Sequence, residues 1–272
     1  SRIQDIDEPT LVEQMIGRRL QTPTGRIRSG NRGAEPGMPS SGPAISHDEP
    51  SSETSALREI IGGEHHASPD APILLDVRDM CSPGKLRDVS LSVRAGEIVG
   101  VGGLVGAGRS ELLNAIFGLD RRAVGRVTVA GSPVSTAGPK AMIAAGVGYV
   151  PEDRRLQGLF FQLGIDENIL IPFMPRLARA MGFRNRSAEK SVIGDKMREF
   201  QVKAASPSSL PGELSGGNQQ KLLIARWMGK STRVLLLDEP TRGIDVGTKA
   251  EVYKLVRSAA DAGAAVLLVS SE

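Results

Sequence analysis

A chain of 272 residues can hold one large domain or two small ones, and it can bury a full hydrophobic core. Its 34 basic and 31 acidic residues leave a formal charge of +3, too small an excess to point to nucleic acid, and aromatics at 3 % are too few for base-stacking platforms. The single cysteine, Cys81, excludes an internal disulfide and a cysteine-built zinc site, and no apolar run approaches the ~18 residues of a membrane-spanning helix.

In chain order, residues 8–20 predict a short helix, with Thr10 as N-cap and Leu11, Met15 and Ile16 at helical spacing. Residues 21–70 are rich in Gly, Pro, Ser and charge and read as a flexible linker. His65 and His66 lie there as a solvated pair, because a metal site needs further ligands close by. The chain opens without a signal-peptide stretch and stops directly after an apolar run, so both ends read as cut and a fragment is expected.

From Ala71 onward the texture is globular. Short apolar or β-branched runs at 73–77, 89–93, 97–101, 126–129, 147–150, 234–237 and 265–269 predict strands. Helical patterns fall at 109–117, 218–228 and 248–260. Strands alternating with helices predict an α/β fold, a parallel sheet covered on both faces, and the early hairpin-like strands predict an antiparallel β edge. The stretch from about 156 to 214 has no strand run and predicts a helical insertion.

The segment Gly103-Leu104-Val105-Gly106-Ala107-Gly108-Arg109-Ser110 follows a strand and opens a helix, which is the context of a phosphate cradle. Gly103, Gly106 and Gly108 let backbone N–H groups converge on an anion at the helix N-terminus. Ser110 is placed to ligate Mg²⁺. Arg109 stands where a lysine is expected, and its bulky planar fork is no substitute for a compact point charge. A glycine-rich turn without a ligand would show the same spacing, so the loop needs supporting context.

That context comes downstream. Val234-Leu235-Leu236-Leu237-Asp238-Glu239 is an apolar strand ending in two acids. Asp238 suits a Mg²⁺ shell, and Glu239 suits orienting or deprotonating a water. Leu214-Ser215-Gly216-Gly217-Asn218-Gln219 opens a helix that Ser215 can cap, while the two glycines bare a second anion-binding surface. Gly243-Ile244-Asp245 follows.

Together these residues resemble the ABC-type ATPases over about residues 73–272, which implies a P-loop NTPase core with a helical subdomain, and ATP with Mg²⁺ as ligands. In that resemblance Gly103, Gly106, Ala107, Gly108, Arg109, Ser110 and Glu111 look like Walker A. Val234 to Asp238 look like Walker B, Leu214 to Gln219 like the signature motif, and Gly243 to Asp245 like the D-loop. Two such domains then meet head to tail, each ATP lying between one Walker A and the other signature.

The runs at 106–111, 150–155, 214–221 and 240–247 are similar to the second nucleotide-binding domain of the double-domain ATPases of bacterial monosaccharide importers. Residues 1–20 then resemble the tail of a first domain, and 71–272 the second domain. The resemblance implies as partners a first nucleotide-binding domain on the same polypeptide, transmembrane permease subunits and an extracytoplasmic sugar-binding protein, with no nucleic acid. It implies a peripheral place on the cytoplasmic face of the inner membrane. Four features depart from the family pattern: Arg109, Glu152 at the Q-loop position, Ser271 at the switch-histidine position, and no adenine-stacking aromatic near Met80 and Cys81. They imply weak or absent hydrolysis at this domain's own Walker A, with an intact signature serving the partner site. A soluble ABC-type ATPase acting on DNA or the ribosome, or a purely regulatory nucleotide-binding module, stands as the alternative.

Overall fold

The computed structural model describes residues 68–103, 106–173, 185–229 and 231–271. The chain divides into two units, Ser1–Ser55 and Ala56–Glu272, and every described residue belongs to the second. The helix expected over 8–20, the linker as far as residue 67 and the His65–His66 pair lie outside the described residues.

The strands are β1 (Ile73–Ser82), β2 (Leu86–Arg94), β3 (Ile98–Gly102), β4 (Val124–Val129), β5 (Ser132–Val134), β6 (Val147–Val150), β7 (Val234–Asp238) and β8 (Ala265–Ser270). They form two sheets. One is antiparallel in the order β2-β1-β4-β5, and the other is parallel in the order β3-β8-β7-β6. The antiparallel strands thus build a sheet of their own rather than continuing an edge of the parallel one. β1 reaches Ser82, five residues past its apolar run, because β2 and β4 pair with it on either side through bulges.

The parallel strands show why their sequences are continuously apolar. Val234 and Leu236 of β7 and Ala265, Leu267 and Val269 of β8 enter one core, shared with the antiparallel sheet and helix α1 (Arg109–Phe117). The alternate residues Leu235, Leu237, Val266 and Leu268 enter a second core on the opposite face. A strand buried on both faces needs apolar residues at every position, not every second one.

Helices α2 (Pro139–Ala144), α3 (Ile165–Leu170), α4 (Arg186–Glu199), α5 (Gly216–Trp227) and α6 (Val246–Asp261) complete the described elements. Between β6 and α5 the described residues hold only helical elements, including a π-helical turn over Arg154–Gly158 capped by the Asp153 side chain. Helix α6 buries Val252, Tyr253, Val256, Ala259 and Ala260, the spacing of one helical face. It begins two residues before its apolar pattern because Asp245 caps it, accepting from Thr248 N–H at 3.0 Å. Ser215 caps α5 in the same way.

Candidate functional site

β3 and β7 are separated in the sheet by β8 alone, so the glycine-rich loop after β3 and the acids ending β7 emerge along the same edge. The loop turns sharply into α1: Gly106 and Gly108 have φ of 88° and 82°, values that L side chains rarely adopt. A Cβ on Gly108 would also lie 3.0 Å from the Lys85 carbonyl oxygen, in the turn before β2, a tight approach added to the unfavourable φ.

Ser110, in the first turn of α1, donates its hydroxyl to Asp238 Oδ1 at 3.0 Å. Tyr149, next to last in β6, brings its hydroxyl within 3.4 Å of the other carboxylate oxygen and 3.1 Å of Asn114 Oδ1. Burial pushes the Asp238 carboxyl up, the Ser110 hydrogen bond pulls it down, and the neighbouring Glu239 pushes it up again. Burial, then the charge of Asp238, raise the Tyr149 phenol well above its ordinary range. Two hard oxygen donors converging on one buried acid fit a small divalent cation, which would relieve the charge that burial disfavours. Among the described residues no three His, Cys, Asp or Glu side chains cluster as a ready-made cage. A metal here would therefore depend on Ser110, Asp238 and the oxygens of a phosphorylated ligand.

Glu239 follows with a positive φ of 45° and is largely buried. A non-glycine residue held in this region is strained, and such strain gathers at sites where a side chain must be aimed. Its carboxylate lies 3.4 Å from the Arg109 guanidinium, which also donates to the Ser270 carbonyl oxygen at the end of β8. Ser271 follows as an exposed residue. The fold thus gathers Arg109, Ser110, Asp238 and Glu239. Gly103 precedes them in the loop, and Ala107 and Glu111 flank the turn.

The segment Leu214–Gln219 packs elsewhere. Leu214 is buried, Ser215 is exposed, and Asn218 donates its side-chain amide to Ser215 Oγ at 3.0 Å. Gln219 turns inward and donates to the carbonyls of Pro211 and Leu214. A Cβ on Gly217 would collide with the Thr248 side chain, 2.8 Å from its Oγ1, so glycine lets the first turns of α5 and α6 touch. Gly216 lies beside Arg154 and the Gly243 carbonyl. Asp245 faces its own cap partner Thr248, whose hydroxyl and N–H hold its carboxyl below the usual carboxylate range.

Glu152 pairs with Arg242 of the loop that carries Gly243 and Asp245. Arg154 donates to the carbonyls of Arg242 and Gly243, both at 3.2 Å. Met80 is wholly buried in the core, and the Cys81 sulfur accepts from Asp88 N–H. Sequence reasoning passed over Tyr149, Arg154 and Arg226. Tyr149 alone left a signal, as one of two tyrosines in the chain and sited beside the end of a wholly buried strand.

Residues 86–242 match the ABC transporter family. The chain is 43 % identical over 210 residues to a ribose import ATP-binding protein, RbsA, of Chelativorans sp. (strain BNC1), covering 77 % of this chain and 41 % of that one. It is 47 % identical over 200 residues to a ribose import ATP-binding protein, RbsA 2, of Streptomyces avermitilis, covering 74 % and 39 %. The chain therefore spans about two fifths of the length of the curated relatives it matches. Two solved structures share the fold. One is an ATP-binding cassette of an ABC transporter in its ADP conformation, at TM-score 0.60 and 20 % identity over 74 % of this chain and 82 % of that one. The other is a dimeric bacterial ABC transporter cassette, at TM-score 0.61 and 22 % identity over 73 % and 88 %. With a two-sheet α/β core, a glycine-rich loop set against paired acids and a family match across more than half its length, the chain belongs to the ABC transporter family.

Proposed function

We propose that the chain is the second nucleotide-binding domain of a double-domain ATPase that drives monosaccharide import, of the ribose type. The observation that carries the reading is the meeting of Ser110 with Asp238 across 128 residues, with Glu239 beside them. The relatives named for ribose import support the substrate class. In this reading residues 1–20 are the tail of the first domain, 21–70 the linker and 71–272 the second domain.

Ser110 and Asp238 would hold Mg²⁺, which when bound neutralises charge on the phosphate chain. Gly106, Ala107 and Gly108 offer backbone N–H groups to the phosphates. Glu239 orients or accepts a proton from water, but at this site it is engaged by Arg109. Hydrolysis at this domain's own loop is therefore slow or absent. Ser215 and the N-terminus of α5 instead serve nucleotide held by the first domain, through the hydroxyl and the exposed end of the helix dipole.

The permease docks in a cleft of about 510 Å³ between the end of α1 and the helical segment, lined by Lys85, Phe117, Asp120, Tyr149, Gln157 and Trp227. Lys85 and Asp120 at its mouth, beside the half-buried Trp227, give it a mixed lining that suits a protein partner. No helix among the described residues is long and apolar enough to cross a membrane, and attachment through the permease at the cytoplasmic face of the inner membrane fits that. An extracytoplasmic sugar-binding protein completes the system. The test is uptake of labelled ribose by proteoliposomes holding the full-length ATPase, its permease and its binding protein. Ser215→Arg is expected to lower uptake and ATPase activity at least tenfold, whereas Arg109→Ala leaves most of both. Unchanged activity in Ser215→Arg sinks the reading.

A further inference from the structure

Arg109 does more than stand in for a lysine. Its guanidinium is 9 % exposed and sits against two fixed groups, the Ser270 carbonyl at the end of β8 and the Glu239 carboxylate, itself 7 % exposed. The carbonyl is backbone at the half-buried end of β8, and Glu239 has a strained φ of 45°, so both partners sit on constrained backbone. Asp238 lies close enough to feel the arginine's charge, but its own oxygens are taken by Ser110 and Tyr149. Glu239 is thus the counter-ion that Arg109 keeps.

We propose that Arg109 and Glu239 form a clasp across the phosphate loop, and that a nucleoside triphosphate enters this site by taking Glu239's place as the partner of Arg109. The inference rests on the reading of 103–110 as a nucleotide-binding loop with a weakened site. Arg109 meets Glu239 through one nitrogen, Nη2 to Oε1 at 3.4 Å, while Nη1 stays on the Ser270 carbonyl, and a phosphoryl oxygen can accept from Nη2 in the carboxylate's place. The displaced carboxylate is left in a buried place without its cation, which makes the exchange costly. A diphosphate, lacking the terminal phosphoryl group, has less to offer the arginine. The clasp therefore sets a selectivity between triphosphate and diphosphate, and it keeps Glu239 from acting on water while it is closed.

The test is equilibrium binding of a non-hydrolysable ATP analogue and of ADP, each with Mg²⁺, to the full 272-residue chain, with the chain's oligomeric state followed alongside. Glu239→Gln keeps the shape and removes the counter-charge. It is expected to tighten the triphosphate analogue at least tenfold and ADP by less than threefold. Repulsion between Glu239 and phosphate would also produce tightening, so the measurement is repeated in Arg109→Ala. A clasp predicts that Glu239→Gln loses most of its effect there. Equal tightening with and without Arg109, equal tightening of both nucleotides, or no tightening at all overturns the clasp. Failure of the underlying reading looks different: neither nucleotide binds the unaltered chain or any variant, or the full-length protein with its first-domain loop disabled turns over ATP at the intact rate.

Discussion

The Ser110 hydroxyl and the Asp238 carboxylate meet at 3.0 Å although 128 residues separate them, and the bond holds a buried acid that burial drives toward its protonated form. A carboxyl raised in the fold contributes full stability below the ordinary carboxylate range and loses it as pH rises through the raised value. Asp238→Asn cannot ionise and can still accept from Ser110. Its unfolding midpoint is expected to exceed that of the unaltered chain at pH 7, with the gap closing near pH 4. Mg²⁺-dependent nucleotide binding falls at the same time, the usual opposition between stability and function at a site. Thermal unfolding at the two pH values checks the sign.

Gly217 reports on a different joint. An added Cβ meets the Thr248 side chain, 2.8 Å from Oγ1 and 3.0 Å from its Cβ, so the start of α5 must move from the start of α6. Gly217→Ala is expected to cost about 1–3 kcal/mol in urea unfolding, the usual range for overpacking. Thr248→Ala removes the Oγ1 and Cγ2 contacts but leaves the Cβ approach. The double variant therefore recovers part of the loss, and full additivity of the two changes would falsify the contact as its cause.

Local chemistry of this kind is what a sequence displays well. The caps at Ser215 and Asp245, the turn at Gly106 and Gly108 and the two-faced burial of β7 and β8 all depend on residues a few positions apart. Helix starts were displaced by about two residues because the caps add an apolar-poor first turn. The antiparallel strands looked like an edge because alternation tells which face of a strand is buried, not which sheet holds it. The contacts of Tyr149, Arg154 and Arg226 are hidden in the sequence for another reason. Their partners lie 35 to 89 residues away, and most are backbone carbonyls that carry no residue identity. Glu152 departs from the family pattern, and nothing in the sequence ties it to Arg242.

Arg226 is such a hidden residue and tests the second core. It is 4 % exposed, and it donates to the carbonyls of Gly158 and Asn168 and to Asn168 Oδ1. Burial pushes its guanidinium down to about 10, so it stays charged at neutral pH. Asn168, wholly buried, uses its amide to hold Phe160, Leu163 and Gly164. Arg226→Met fills the space but takes the arginine from the Gly158 and Asn168 carbonyls, while Asn168 Oδ1 keeps the Phe160 N–H, and each carbonyl that water cannot reach costs about 1–3 kcal/mol. Arg226→Lys keeps the charge yet not the fork, and recovers less than half of the loss. Urea midpoints for the two variants decide this.

The loop from Arg242 to Asp245 is tied by two arginine contacts of unequal worth. The Glu152–Arg242 ion pair joins side chains 36 % and 63 % exposed, and such pairs contribute about 0–1 kcal/mol. Arg154 instead holds the backbone, its two nitrogens donating to the carbonyls of Arg242 and Gly243 while it lies against Gly216. Removing it frees the loop itself, not one side chain on it. Arg154→Ala is expected to speed amide exchange across residues 241–245 at least fivefold, while Glu152→Gln leaves exchange there within twofold. Arg154→Lys falls between, because a single ammonium cannot satisfy two carbonyls with the geometry of a fork. Equal exchange in Arg154→Ala and Glu152→Gln would mean that the exposed ion pair, not the backbone clamp, holds the loop beside Gly216.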